Sequence, residues 1–179
     1  PLSGGRYLLA GGAWTDIDFI YCARGLEIVD FAAQSARLVG TDPMNSTARA
    51  RQVVALGDDN FLLVGSNNDA EGSWLIRFDA ATETSAVLAS DMGELDEPAA
   101  VMLGDGRVLI VGAPTTGFNA ATDATWLFDP ATDALAAGPP LPAPMVGPLA
   151  ARVGDGPVLI LGYVETDADP AGLIAAIFE

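Results

Sequence analysis

One short pattern recurs four times along the chain, at intervals of about 50 residues. Each copy is an apolar run that contains a glycine: LLAGG, LLVGS, LIVGA and LILGY. A turn rich in Gly, Asp or Asn precedes every copy, as at Gly104-Asp105-Gly106. A tight turn followed by strand-forming residues is typical of a β-hairpin, and a regular spacing predicts an array of similar β units. The central glycines of the four copies are Gly11, Gly65, Gly112 and Gly162.

A second marker keeps the same interval and consists of an apolar residue followed by an acid. The pairs are Val29-Asp30, Phe78-Asp79, Phe128-Asp129 and Phe178-Glu179. Small and polar residues follow the first three pairs, and such residues favour turns. Because the acid recurs in every repeat, we expect Asp30, Asp79 and Asp129 to cap turns through nearby backbone rather than to catalyse a reaction. A third marker is a methionine ahead of each new repeat: Met44, Met92 and Met145.

These markers predict an all-β fold made of blades with four antiparallel strands, named a to d, as in a β-propeller. Strand a is represented by RQVVAL, strand b by the glycine-containing run, strand c by WLIRFD and strand d by SAVLA. DFAAQSARL is read as a c–d turn rather than a helix. We expect glycines such as Gly12 after strand b to permit a positive φ and close backbone approach. The repeats span residues 1–48, 49–97, 98–147 and 148–179 of a single propeller segment, 1–179.

The first and last repeats are predicted to be incomplete. The first lacks strand a and the last lacks strand d, so the two ends do not sum to one blade. We therefore expect a segment of a longer propeller, or a chain that completes its ring with blades from another chain. An open arc would expose unpaired strand edges and apolar surface. The alternative is a four-bladed ring with rearranged strands at one end.

The repeats resemble the kelch motif, which has a Gly-Gly after strand b, an aromatic-Asp-Pro-x-Thr segment after strand c, and a Pro-Met link. The third repeat carries the resemblance through DGRVLIVGA, WLFDPATDAL and LPAPM. The likeness covers nearly the whole chain and implies a kelch-type β-propeller, in the group that includes galactose oxidase. Gly11 and Gly12 are the single pair that keeps both glycines, and Ala36, Ser85 and Leu135 stand where the family has tryptophan.

Charge and the lack of histidine exclude several classes of function. The chain carries 24 acidic residues against eight basic ones, all of them arginine, and a net charge of −16. Nucleic-acid binding needs a basic face, so no nucleic-acid partner is expected. No apolar run is long enough to span a membrane. The complete absence of histidine excludes His-based triads, general bases and metal ligands.

The b–c loops are the predicted binding region, because propeller loops vary while strands hold the scaffold. In the second loop, Asn67, Asp69 and Glu71 alternate and are followed by Gly72. Alternating oxygen ligands before a glycine resemble the start of a calcium-binding loop. No glutamate follows at the distance that an EF-hand needs, so we favour a solvated turn and keep Ca²⁺ as the alternative. Aromatic residues in or beside these loops are candidate contacts for a protein or a glycan: Trp14, Phe19, Phe118 and Tyr163.

Kelch-type galactose oxidases contain a copper site with a crosslinked Tyr–Cys pair, which Tyr21 and Cys22 resemble in residue type. That site also needs histidine ligands, and this sequence has none. No copper site and no cofactor other than the alternative Ca²⁺ is therefore expected.

The leading functional hypothesis is a non-catalytic scaffold that binds a protein or glycan through its blade loops. One rival is a carbohydrate-active propeller enzyme with paired carboxylates, completed by parts outside this segment. Another is a structural subunit of a larger assembly. The acidic bias and the use of arginine alone favour a high-GC bacterium, with secretion or a cell-surface location. The candidate carboxylates of the enzyme hypothesis are Asp16, Asp69, Asp123 and Asp167.

Overall fold

The computed structural model describes residues 1–10, 13–15, 20–22, 25–41, 48–67, 73–89, 95, 98–112, 121–164 and 172–178. Within these ranges the strands form four larger antiparallel sheets and one small hairpin. Sheet 1 consists of β1 (Arg6–Ala10), β4 (Gly25–Asp30) and β5 (Ser35–Thr41). Sheet 2 consists of β6 (Ala48–Gly57), β7 (Asn60–Asn67), β8 (Ser73–Asp79) and β9 (Thr84–Ala89). Sheet 3 consists of β10 (Ala99–Met102), β11 (Val108–Val111), β12 (Thr125–Asp129) and β13 (Ala134–Ala137). Sheet 4 consists of β14 (Val146–Arg152), β15 (Val158–Val164) and β16 (Gly172–Phe178).

The all-β, blade-like architecture predicted from the repeats is confirmed. Sheets 2 and 3 each contain strands a, b, c and d, paired in that order. Sheet 1 contains strands b, c and d, and sheet 4 contains strands a, b and c. The segment DFAAQSARL forms a c–d turn and the start of β5, as predicted. The small hairpin, β2 (Ala13–Thr15) and β3 (Ile20–Cys22), lies in the first b–c connection and was not predicted.

The chain divides into two compact units, residues 1–91 and 92–179, which we call the N-terminal and C-terminal halves. In the N-terminal half, sheets 1 and 2 share an apolar core. Leu26 and Ile28 of sheet 1 belong to the same buried cluster as Phe61 and Leu63 of sheet 2. Strand b of sheet 2 is almost unbroken in its apolar character, so both of its faces are covered. The prediction of one propeller segment over residues 1–179 stays a prediction.

Sheets 3 and 4 share the core of the C-terminal half. Leu109 and Val111 of sheet 3 pack in one cluster with Val158 and Ile160 of sheet 4. Met145, the methionine marker ahead of the fourth repeat, is fully buried in that cluster. Its backbone exchanges two hydrogen bonds with Thr122, with N–O distances of 2.8 and 2.9 Å. The methionine marker of the fourth repeat is therefore a buried core residue that directly precedes β14, the first strand of sheet 4.

The strand-b glycines provide close approach rather than a positive φ. A Cβ at Gly162 would lie 2.8 Å from both the Cβ and the Sδ of Met145. A Cβ at Gly112 would lie 3.3 Å from Leu95 and from Pro98. Neither glycine has a φ in the left-handed region, and Gly162 lies inside β15 rather than in a sharp turn after it. The expected positive φ is therefore wrong at both positions: at Gly162 the chain continues as extended strand, and Gly112 directly follows β11 without a left-handed backbone. Gly65 is likewise a strand residue, in β7, and Gly11 and Gly12 lie outside the described residues.

In the part of the chain that the structure describes, no helix is long and apolar enough to cross a membrane.

Candidate functional site

The c–d turns of sheets 1, 2 and 3 share one construction. The last residue of strand c is an aspartate, and its carboxylate accepts hydrogen bonds from backbone N–H groups inside the turn. Asp30 accepts from the Ala33 N–H at 2.8 Å. The equivalent bonds run from Ala81 to Asp79 at 2.8 Å and from Ala131 to Asp129 at 2.9 Å. These three carboxylates therefore stabilise the c–d turns of the scaffold, as predicted.

Each of these turns also contains a non-glycine residue with a left-handed backbone, four positions after the aspartate. Gln34, Glu83 and Asp133 have φ values of 50°, 57° and 56°. A left-handed residue commonly closes a short hairpin loop before the next strand begins. Gln34 and Glu83 could not be found from the sequence, because glutamine and glutamate carry no turn signal, whereas Asp133 is of a residue type that tolerates this conformation.

The a–b turns differ from sheet to sheet. In sheet 2, Asp58 and Asp59 both have a positive φ, of 49° and 59°, between the paired residues Gly57 and Asn60. Two left-handed residues in a two-residue loop are the geometry of a type I′ turn. In sheet 1 the segment before β1 is a 3₁₀ turn, Ser3–Gly5, in which Gly4 and Gly5 have a positive φ.

Sheets 3 and 4 use the same Gly-Asp-Gly letters with different backbones. The left-handed residue is the third one in sheet 3, Gly106 with φ 88°, and the first one in sheet 4, Gly154 with φ 58°. Both turns keep the same backbone hydrogen bonds, since Gly106 donates to Leu103 and Gly156 donates to Val153. The same three-residue motif therefore adopts two different turn conformations in the structure.

Arginine side chains complete the a–b turns of the C-terminal half. The Arg107 Nε donates to the Asp105 carboxylate at 2.7 Å, and the Arg107 backbone N–H donates to it at 3.0 Å. These bonds hold the pKa of Asp105 below its usual range. Arg152 donates to the Asp155 carbonyl at 3.0 Å. Its Nη2 also lies 3.3 Å from the place where a Cβ on Gly104 would stand, so a side chain there would meet the guanidinium.

An open groove of about 360 Å³ lies between the a–b turns of sheets 3 and 4. Its walls are apolar at Leu103, Pro157, Val158 and Phe178, and Arg107 stands among the lining residues. No sequence marker pointed to this groove, because it arises where two turns from different repeats come together.

In the N-terminal half, polar contacts join sheet 1 to the turns of sheet 2. The Ser3 N–H and hydroxyl donate to the two carboxylate oxygens of Asp59, and these bonds lower the pKa of Asp59. Arg37 on β5 forms a two-pronged ion pair with Glu83, which lowers the pKa of Glu83. The a–b and c–d turns of sheet 2 thus both contact the preceding sheet.

Two of the four predicted aromatic contacts, Trp14 and Tyr163, lie in the described residues. Tyr163 is half-buried on β15, where it pairs in register with Leu173. Trp14 lies on β2 and pairs in register with Tyr21, while Phe19 and Phe118 lie outside the described residues. Asn67 is the last residue of β7, and Asp69 and Glu71 lie outside the described residues. A shared site for these candidates therefore stays a prediction.

Comparison with known proteins identifies the fold. No family model matches the chain, and no match is found among curated proteins. Among solved structures, the chain is similar to a fungal alcohol oxidase of the AA5 family in complex with copper, with a TM-score of 0.69 and 14% identity. The match covers 87% of this chain and 36% of the oxidase chain. The chain thus spans about a third of that protein's length, and at this identity the likeness concerns the propeller-like fold alone.

The residues of this chain do not fit a copper centre. Imidazole and thiolate are the ligands that copper prefers, and this sequence has no histidine and a single cysteine. Cys22 pairs in register with Ala13 in the β2–β3 hairpin. Among the described residues, no three His, Cys, Asp or Glu side chains are grouped to hold a metal ion. We therefore derive no chemistry through copper for this chain.

Proposed function

We propose that this chain is a non-catalytic, kelch-type propeller scaffold that binds a protein or a glycan through its b–c loops. The supporting observation is the difference between the two ends of each sheet. One end carries the a–b and c–d turns, which are short and closed by their own hydrogen bonds. The other end carries the b–c connections, which are longer and differ in sequence from sheet to sheet. Loops of varied sequence on a rigid scaffold are the usual place for recognition.

The hydrogen bonds and ion pairs of four described acids support a binding role over catalysis. Asp79 and Asp129 bond to turn backbone, Asp105 is paired with Arg107, and Asp59 accepts from Ser3. A general acid or base needs a pKa near the working pH, and hydrogen bonds move Asp59, Asp79 and Asp105 in the opposite direction. These carboxylates are suited to hold turns rather than to exchange protons.

The enzyme alternative draws support only from the fold shared with the alcohol oxidase, and fold alone does not fix function. Of its four candidate carboxylates, only Asp123 belongs to the described residues. It is exposed, and its backbone carbonyl accepts from the Leu141 N–H at 2.8 Å. The structural-subunit alternative and the secreted or cell-surface location remain predictions.

Binding can be tested by native gel electrophoresis in gels that contain soluble polysaccharides, such as β-glucan, galactan or xylan. A glycan ligand should retard the chain, and Trp14→Ala should abolish the retardation. Phe31→Ala is the matched control, because Phe31 is an exposed aromatic residue in a c–d turn, at the other end of sheet 1.

The outcomes separate the branches of the proposal. Retardation that survives Trp14→Ala and is lost with Phe31→Ala would contradict recognition at the b–c end. If none of the polysaccharides retards the chain, the glycan branch is wrong and a protein partner is left. Release of reducing sugar from these polysaccharides by the purified chain would overturn the non-catalytic role.

A further inference from the structure

One side of sheet 4 is an extended apolar surface. Residues that pair directly across antiparallel strands point to the same side of a sheet, and on this side they include leucine, isoleucine and alanine together with the half-buried Tyr163. Leu149, Leu173 and Ile177 are 67%, 78% and 66% exposed. Contiguous apolar patches of this kind mark interaction surfaces. We call this surface the back face, and it consists of Leu149, Ala151, Leu159, Leu161, Tyr163, Leu173, Ala175 and Ile177.

The same positions in sheet 3 are buried. The counterparts of Leu159 and Leu161, 50 residues earlier in the chain, are Leu109 and Val111. Both are fully buried, and they share a core cluster with Val158 and Ile160 of sheet 4. The repeat therefore shows what covers a back face, namely the strand-b residues on the opposite side of another sheet of the same kind.

Sheet 1 presents a surface of that covering kind. Phe61 and Leu63 on strand b of sheet 2 pack in the core that sheets 1 and 2 share. The equivalent strand-b residues of sheet 1 are Tyr7 and Leu9, which are 44% and 52% exposed. Glu27 pairs with Leu9 on one neighbouring strand and with Leu38 on the other, so Leu38 lies on the same side of the sheet as Leu9. Leu38 is 69% exposed. We call this surface the front face, and it consists of Tyr7, Leu9, Glu27, Val29, Ala36 and Leu38.

We propose that the chain associates with a second copy of itself head to tail, with the back face of sheet 4 in one copy packed on the front face of sheet 1 in the next. The contact would repeat, between two copies, the sheet-on-sheet packing that joins sheets 3 and 4 within one copy. It is heterologous, since the two surfaces differ, and each copy therefore keeps one free face of each kind. The inference does not depend on the proposed ligand of the b–c loops.

The net charge of the chain determines how this association should depend on salt concentration. The net charge of −16 per copy makes two copies repel each other. The two faces, however, contain a single ionisable acid, Glu27, so little charge has to be desolvated in the contact. Added salt screens the long-range repulsion and does not weaken apolar burial. Association should therefore strengthen as NaCl is raised, which is the opposite of an interface held by ion pairs.

Sedimentation velocity over about a hundredfold range of concentration tests the proposal, with dissociation constants fitted from the species observed. The charge-neutral variants Leu173→Thr with Ile177→Thr on the back face, and Leu9→Thr on the front face, should each weaken association about tenfold or more. Val87→Thr is the matched control, because Val87 is exposed on β9 and belongs to neither face. It should leave association unchanged.

Mixing the two variants distinguishes head-to-tail packing from a symmetric dimer. Each variant alone keeps one intact face and should stay monomeric, whereas an equimolar mixture should form dimers that grow no further. A wild-type chain that stays monomeric at high salt would overturn the proposal. Dimers formed by the Leu9→Thr variant alone would show back-to-back pairing and would overturn it as well. Circular dichroism of each variant verifies that the sheets are retained.

Discussion

The c–d turns and the a–b turns lie at the same end of the sheets, yet they are built differently. Every described c–d turn has an aspartate that accepts from the turn backbone and a left-handed residue four positions later. The a–b turns of sheets 2, 3 and 4 each place their left-handed residues differently. They also make contacts outside their own repeat, as between Ser3 and Asp59.

The difference shows which parts of a repeat are free to change. The c–d turn of sheet 2 also contacts another sheet, through Arg37 and Glu83, yet its left-handed residue has nearly the same φ as in sheets 1 and 3. A turn held by its own aspartate therefore keeps its backbone from repeat to repeat. The a–b turns share no such common bond: in sheet 3 Asp105 accepts from Arg107, whereas in sheet 4 Arg152 donates to the Asp155 carbonyl, and Gly-Asp-Gly has two conformations. The groove in the C-terminal half lies between turns of the second kind.

The largest expected effect concerns the aromatic residue that anchors the c–d turn. Phe128 precedes Asp129 and is fully buried, whereas Leu103, which precedes the a–b turn of the same sheet, is half-buried. Phe128→Ala should lower the free energy of unfolding by about 3–5 kcal/mol, and Leu103→Ala by less. Urea denaturation measures both. Equal losses would mean that the two turns depend equally on the core.

A pair of glycine exchanges should have opposite signs. Gln34→Gly relieves a left-handed glutamine in a c–d turn and should stabilise the chain by about 0.5–1 kcal/mol. Gly106→Ala places a Cβ on a left-handed residue in an a–b turn, with no atom within 4 Å of it. It should cost about 1 kcal/mol from backbone strain alone. Thermal unfolding of both variants is the measurement, and a shared sign would contradict the assigned conformations.

The two turn types should also respond differently to pH. The side-chain hydroxyl of Ser3 is the largest cause that lowers the pKa of Asp59, whereas the Ala81 backbone N–H is the largest cause at Asp79. A lowered folded-state pKa stabilises the fold above the unfolded pKa of about 3.9, and this stability is lost as the pH falls through the folded value.

Ser3→Ala should therefore reduce the free energy of unfolding at pH 7, and the difference from wild type should shrink as the solution is acidified below about pH 4. Thr82→Ala should show less pH dependence, because it leaves the largest cause at Asp79, the Ala81 backbone N–H, in place, whereas Ser3→Ala removes the largest cause at Asp59. Urea titrations at a series of pH values compare the two variants. An equal pH dependence would show that the c–d turn is no better protected than the a–b turn.

The smallest expected effect belongs to the b–c connection that contains Asn67, Asp69 and Glu71. We expect millimolar Ca²⁺ to leave the melting temperature unchanged, as for a solvated turn. A rise with Ca²⁺ that disappears in Asp69→Asn would establish the calcium loop instead. Mg²⁺ at the same concentration controls for general screening of the negative charge.

Much of the sheet architecture could be predicted, because its markers are local. The Phe78-Asp79 and Phe128-Asp129 pairs and the strand-b glycines assigned the strands of each repeat correctly. The function of the glycines was only half predicted. Close approach at Gly162 follows from a small residue in an apolar run, but its partner, Met145, lies in a different strand-to-strand link. The sequence contains no signal for that pairing.

The candidate site was less predictable, for the same physical reason. Both the groove and the ion pair between Arg37 and Glu83 depend on segments from different repeats coming together. The β2–β3 hairpin lies in the b–c connection of the first repeat, and the described part of the other repeats offers no counterpart with which it could be aligned. Trp14 and Phe118 stay predictions of where a partner would bind.

The order of strands within each sheet has a consequence for folding. In sheets 2, 3 and 4 every strand pairs with its immediate neighbour in the chain, so each sheet is built from residues close in sequence. Contacts between residues close in sequence form quickly, since little chain entropy is lost before they are made. We expect any of these sheets to serve as a starting point for folding, with the neighbouring sheet of its half docking afterwards. β1 pairs with β4 only after about 14 intervening residues that include the β2–β3 hairpin, and β11 pairs with β12 after about 13, so we expect these two pairings to form later than the others.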